Sequence, residues 1–389
     1  MFFCPTKLKT KMNKFDAIRF FYESEVNDGI LKVIDHPMMK GLMNFCFPGQ
    51  DDEIWKEQLR KTHSIRDFQC NFIYYGVQQV LEKSSEGLTT SGFEKLEKNT
   101  AYLFMSNHRD IVLDTTLLNA SLFEHGLEMT SSAIGDNLVH KPFLKILAKL
   151  NRNFLVQRGL SPRELLGSSK LLSEYMCQLL LHENRSVWIA QREGRTKDGN
   201  DETNPGVLKM IAMGSDEPNV MDYFKKIKIV PVSISYEYDP TDALKMPQLL
   251  AEANNEIYKK EKNEDFKTLL SGIIGQKKRI HIHVGDILDK EIDDIIANVD
   301  TTNKQVQALA QVIDDSILSN YHLWTTNFIA YDILNGSNRF SHLYTENEKM
   351  LFERRLELRI DHEHPVAKQG FLDMYANPVV NKLKYVNEL

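Results

Sequence analysis

Ala101-Tyr102-Leu103-Phe104-Met105-Ser106-Asn107-His108-Arg109-Asp110-Ile111-Val112-Leu113-Asp114 starts as an apolar run, turns polar for four residues, and then resumes with spaced apolar positions. The pattern predicts a strand over Ala101–Ser106 and a helix over Ile111–Phe123. A strand-to-helix junction presents its side chains at the carboxyl edge of a sheet, where α/β proteins place ligands. The same alternation continues outward from this stretch. Further strands are expected at Met129–Ile134, Asn153–Gln157, Ser186–Gln191, Lys228–Tyr236 and Ile280–Val284. Between them, helices are expected at Lys141–Leu150, Pro162–His182 and Gly206–Gly214. Short apolar runs alternating with helical stretches define an α/β layer with a mostly parallel sheet flanked by helices.

The flanks differ in texture. Before the layer, Phe15, Ile18, Phe21 and Tyr22 recur at helical steps, as do Ile54, Leu59 and Phe68 less strictly. Pro37 and the Phe47–Asp52 stretch break that region into pieces, and a turn-rich segment, Ser84–Gly92, closes it. Near the far end of the layer, Ala251–Lys278 is a polar, lysine-rich insert. Beyond about Lys290, Val306, Leu309, Val312, Ile313 and Ile317 mark one amphipathic face, and Glu348–Arg359 reads as a charged, solvated helix. The expected organisation is a helical N-terminal region at 1–85, an α/β domain at 86–290 and a helical C-terminal region at 291–389.

Composition sets the outer bounds. Of 389 residues, 42% are hydrophobic, enough for a substantial core and too many for a disordered chain. The net charge is −6, which argues against a nucleic-acid partner engaged through an overall basic field. Cys4, Cys46, Cys70 and Cys177 are scattered without short pairing, as expected of structural thiols in a reducing compartment. The N-terminal MFFCPTKLKTKMNKFDAIRFF carries basic residues where a signal peptide needs its apolar stretch. No run approaches the roughly 18 to 20 apolar residues of a membrane span. The expected location is the cytoplasm, peripheral on the cytoplasmic face of a membrane.

Four stretches carry chemistry-bearing residues. The first is Asn107–Asp114, where His108 can exchange a proton near neutral pH and a carboxylate nearby can fix its tautomer. The second is Phe154-Leu155-Val156-Gln157-Arg158, a strand ending in arginine. The third is Ile189–Gly199, in which Arg192, Arg195 and Lys197 fall within six residues and Gly194 allows close backbone approach, a composition suited to a phosphate. The fourth is Ile229-Val230-Pro231-Val232. Each alone has an ordinary explanation: a histidine hydrogen-bonded at a helix start for the first, an exposed charged loop for the third, and a core strand for the second and fourth. His108-Arg109-Asp110 also matches the start of a protein-kinase catalytic loop, but that loop needs an asparagine where Thr115 stands, and no Asp-Phe-Gly follows. His362 and His364 lie in a highly charged segment without an assembled ligand set, so no metal site is expected.

In this order, the four stretches resemble the glycerolipid acyltransferase family, which includes glycerol-3-phosphate and lysophosphatidate acyltransferases. The residues that carry the resemblance are Asn107-His108 with Asp114, Phe154 with Arg158, Glu193-Gly194-Arg195-Thr196, and Val230-Pro231-Val232, over about residues 100 to 240. Asp136-Asn137-Leu138, Lys141-Pro142-Phe143 and the stretch from Lys197 to Met210 are similar to neighbouring parts of the bacterial members. The resemblance implies a glycerol-3-phosphate acyltransferase-like fold. It also implies acyl transfer from a thioester, acyl-CoA or acyl carrier protein, to the hydroxyl of glycerol-3-phosphate or a lysophospholipid at a membrane surface, without a cofactor.

By the same resemblance, His108 is the general base, Asp114 its carboxylate, and Arg158, Glu193, Gly194 and Arg195 bind the acceptor phosphate. The family spacing puts the aspartate at position 113, which is a leucine here. A bulge at Arg109–Ile111 would return Asp114 to the histidine and leave Asp110 to cap the helix; the reverse pairing stays open. The extra residue also keeps two alternatives open: a catalytically inactive lipid- or phosphate-binding module, and a histidine-dependent hydrolase. The segment His140–Arg152 is either an interfacial amphipathic helix or an ordinary surface helix.

Overall fold

The computed structural model describes residues 13–386. Its centre is a sheet of β1 (Ser85–Ser91), β2 (Leu103–Ser106), β3 (Ser131–Gly135), β4 (Asn153–Val156), β5 (Val187–Ala190), β6 (Ile229–Tyr236) and β7 (Lys278–Val284). The strands lie in the order β1-β7-β6-β2-β5-β3-β4. Every neighbouring pair is parallel except β6 with β7, which is antiparallel. Helices cover both faces. Leu103 and Met105 of β2 pack with Leu172, Leu208 and Ile313 in one cluster, while Phe104 packs with Leu113, Leu117 and Trp188 in another. Burial on two faces explains why β2, β5 and β6 read as nearly unbroken apolar runs rather than alternating ones.

The six expected strands are present; β2, β4, β5 and β6 are shorter than expected, β3 is shifted to end at Gly135, and β7 starts two residues earlier, at Lys278. The seventh, β1, corrects the reading of Ser84–Gly92 as a turn-rich closure. Its serines, threonines and glycine form an edge strand because β7, almost two hundred positions later, supplies its partners, Leu88 opposite Ile280 and Ser91 opposite His283. A second correction concerns Phe15–Tyr22. This stretch is not helical; it turns over residues 14–18, and the first helix begins at Glu23. There Ile18 O accepts from Leu155 N at 2.8 Å, which occupies part of the open edge of β4, and the Phe15 ring lies 5.0 Å from that of Tyr175. A helix would withdraw that carbonyl from the edge strand.

N-terminal helices from Glu23 to Ser84 build their own apolar cluster around Trp55, Phe68 and Phe72. Phe143 and Leu150 of the helix Pro142–Leu150 belong to the same cluster. That helix therefore packs its apolar stripe on protein, and the interfacial reading of His140–Arg152 is set aside. C-terminal helices occupy Asp289–Asn298, Thr302–Ser319, Thr325–Asn335, Glu346–Arg359 and Pro365–Lys382. The helix Glu346–Arg359 is less solvated than its charge suggests. Phe352 and Leu356 are buried, and Arg355 and Arg359 both pair with the fully buried Asp242 at 2.7 Å. Among the described residues, no helix is long and apolar enough to cross a membrane. Cys46, Cys70 and Cys177 are free thiols, whereas Cys4 lies outside the described residues.

Candidate active site

The carboxyl edge of β2 leads straight into the site. After Ser106 the chain leaves the sheet, turns at Ile111–Val112 and enters the helix Leu113–Glu124. This turn absorbs the additional residue between His108 and Asp114. His108 Nδ1 lies 2.8 Å from Asp114 Oδ2, and the same oxygen accepts from the backbone N–H groups of Arg109 at 2.7 Å and Asp110 at 3.0 Å. The other oxygen accepts from the Tyr236 hydroxyl at 2.8 Å. Asp114 is wholly buried, so its charge is stabilised by these four donors rather than by water. An acceptor at Nδ1 selects the tautomer with its proton there, leaving Nε2 free to take one. The imidazole also meets Trp188 edge-on at 5.6 Å, which limits how far it can swing.

Asp110 has a different task. Its Oδ1 accepts from Val112 N and Leu113 N, both at 2.9 Å, so it caps the turn into the helix. Burial, together with the Asp114 charge, raises its pKa, and Oδ2 has no hydrogen-bond partner. That oxygen faces Gly272 so closely that a Cβ there would lie 2.1 Å away. The lysine-rich insert thus comes down onto the His108 loop through its helix Glu264–Ile274.

A cavity of about 570 Å³ opens beside this junction. It brings together His108, Arg158, Glu193, Gly194 and Arg195, all expected at the site, with Lys197 and with Lys260 and Asp265 from the insert. Asp114 stays behind the histidine and does not line it. Arg158 Nη1 pairs with Glu193 Oε1 at 2.5 Å, so Glu193 holds an arginine in place from the neighbouring loop. Glu193 is exposed, and a solvated pair of this kind is worth at most about 1 kcal/mol. Gly194 has φ +76°, the left-handed region that glycine enters without strain, and it lets the loop reverse beneath Arg195. Arg195 Nη1 donates to Thr241 Oγ1 at 3.2 Å. Burial, with Arg195, Lys245 and Lys260 nearby, pulls Lys197 down to about 6. A cluster of cations that depresses one of its own members is poised to accept an anion.

Apolar residues complete the cavity. Leu165 and Leu172 come from the helix Pro162–Cys177, Val207 and Met210 from the helix Pro205–Ala212, and Ile189 from β5. Tyr236, Lys260 and Asp265 were not singled out by sequence. Tyr236 ends a strand and so was placed to reach this edge, but nothing in the insert announced that it folds over the site. Among the described residues, no group of three or more His, Cys, Asp or Glu side chains is arranged to hold a metal ion.

Residues 87–235 match the family model described as Acyltransferase. The match encloses His108, Asp114, Arg158 and the Glu193–Arg195 loop, so the part of the chain that carries this site is similar to an acyltransferase domain. Among solved structures, the 1-acyl-sn-glycerophosphate (LPA) acyltransferase PlsC from Thermotoga maritima is similar at 12% identity. The similarity covers 74% of this chain and 94% of that one, with a TM-score of 0.35. No curated protein matches the chain.

Proposed function

We propose that the protein transfers an acyl group from a thioester, acyl-CoA or acyl carrier protein, to the hydroxyl of glycerol-3-phosphate or a lysophospholipid in phospholipid synthesis. The observation that carries this reading is a histidine–carboxylate pair opening on the same cavity as Arg158, Arg195 and Lys197. His108 Nε2 takes the proton of the acceptor hydroxyl as its oxygen attacks the thioester carbonyl carbon. The tetrahedral intermediate collapses, the carbon–sulfur bond breaks, and the imidazolium returns the proton to the departing thiolate. Asp114 stabilises the imidazolium between these steps. The cations fix the acceptor phosphate, so the hydroxyl is placed by its distance from a held anion. The acyl chain takes the apolar part of the cavity. On this reading the catalytic unit is the α/β region, 86–290, between two helical regions.

The lipid substrates imply work at a membrane surface. Since the helix Pro142–Leu150 is packed on protein, contact falls to another face. Leu165 at the cavity and its neighbour Leu166, 50% and 63% exposed, fit that role.

The deciding experiment assays purified protein with both acceptors and both donors, measuring esterified product and free acid separately. Ester formation on a phosphate-bearing acceptor supports the reading. Release of free acid alone, whatever acceptor is present, would replace it with hydrolysis.

Two further results are expected. Arg195→Ala removes a charge-assisted contact worth about 1.5 to 3 kcal/mol, so acceptor KM should rise roughly ten- to a hundredfold with donor KM little changed. An unchanged acceptor KM beside a raised donor KM would contradict the phosphate assignment. Lys197 supplies a proton signature. Neutral in the empty site above about pH 6, it regains its proton when a phosphate arrives, so acceptor binding takes up protons and weakens as pH rises. Calorimetry at pH 8, where a phosphate monoester is already a dianion, should show this uptake through its dependence on buffer ionisation enthalpy. Lys197→Gln should abolish it. No uptake in the native protein would mean that Lys197 does not meet the anion.

A further inference from the structure

Asp201 belongs to none of the four stretches and does not line the cavity, yet it joins the two halves of the site. It is 1% exposed. Oδ2 accepts from Arg109 Nη2 at 2.5 Å and Asn107 Nδ2 at 3.4 Å, and Oδ1 accepts from Thr196 Oγ1 at 2.6 Å. Asn107 and Arg109 are the residues on either side of His108, while Thr196 stands between Arg195 and Lys197. A second link runs beside the first, from Thr196 N to His108 O at 2.8 Å.

The parts tied together are themselves fixed. Asn107 is clamped to β6 through Ile234 N at 2.8 Å and Ile234 O at 2.9 Å. Arg109 is buried, with its guanidinium 5.5 Å from the centre of the Tyr321 ring. A buried arginine needs a carboxylate, so the pairing with Asp201 is enforced by desolvation. Thr196 then uses the remaining oxygen.

We infer that Asp201 is a positioning residue that sets the separation between the His108 base and the Arg195–Lys197 anion site, and thereby selects acceptors by the span from phosphate to hydroxyl. The inference rests on the acyl-transfer reading above. A shared buried carboxylate holds both loops to one frame. Misplacement of a reacting group by about 1 Å can cost about a hundredfold in rate.

Thr196 gives the cleanest test. Thr196→Val removes the hydroxyl that reaches Asp201 and leaves the buried Arg109–Asp201 pair whole, so the fold is spared. Thr196→Ser keeps the hydroxyl. Turnover on a phosphate-bearing acceptor should fall about ten- to a hundredfold in Thr196→Val and recover in Thr196→Ser. Transfer to a phosphate-free acceptor such as monoacylglycerol, which has no anion to be held, should change little. The pH profile set by His108 should keep its shape. Asp201→Asn should show the same split more strongly wherever it folds; if it does not fold, the threonine pair still decides. Equal losses on both acceptors would mark a general structural role and overturn the inference, as would a Thr196→Val protein with unchanged turnover. A native protein that transfers to no acceptor would overturn the acyl-transfer reading itself, and the inference with it.

Discussion

His108→Ala should lose about two to four orders of magnitude in acyl transfer while melting close to the native protein. Loss is expected because Nδ1 is already committed to Asp114, so the ring has one nitrogen to offer a hydroxyl, and no other histidine lines the cavity. The fold should hold because the buried carboxylate keeps its other three donors, Arg109 N, Asp110 N and the Tyr236 hydroxyl. Steady-state turnover beside a melting curve checks both halves. Native turnover in a well-folded variant would remove general-base catalysis by His108.

Asp114→Asn should be at least as damaging, by about four orders of magnitude in turnover. An asparagine can still accept the backbone N–H groups with its carbonyl and offer its amide to the Tyr236 hydroxyl, so the turn should survive. What it cannot do is balance an imidazolium. Asp110→Asn is the contrasting case. Asp110 is buried, biased toward its neutral form, and used through one oxygen that the amide side chain retains. It should stay active with a modest shift in melting, since a cap is worth about 0.5 to 2 kcal/mol. Measuring both variants side by side separates the two carboxylates. An essential Asp110 beside a silent Asp114 would show that the functional pairing differs from the hydrogen bond at 2.8 Å.

Much of this arrangement could be read in the chain. The strand-to-helix junction, the six strands β2 to β7 and the basic loop at Arg192–Lys197 follow from local patterning, because strands buried on two faces leave long apolar runs. A bulge expected at Arg109–Ile111 favours Asp114 over Asp110; the chain instead turns at Ile111–Val112, with His108 Nδ1 2.8 Å from Asp114 Oδ2. What stayed hidden depends on distant partners. β1 has no apolar signature, since β7 rather than its own side chains makes it a strand. Phe15–Tyr22 has helical spacing but turns over residues 14–18 and then meets the edge of β4 through Ile18 O. The insert read only as polar and lysine-rich, and its approach to the site depends on a glycine facing Asp110, a contact that no periodicity encodes.

The Tyr236–Asp114 hydrogen bond spans 122 positions, and Asn107 closes on Ile234 across 127. During synthesis the histidine loop therefore emerges long before the strand that completes it. Until β6 arrives, Asp114 lacks its phenol, Asn107 has no backbone to clamp, and the growing sheet shows an unpaired edge at β2. Contacts this far apart along the chain come late and slow the search for the native state. A nascent chain stalled before β6 would hold the residues of the site without the site, its exposed edge open to association with other chains. The junction around His108 is therefore complete only when β6 closes on β2.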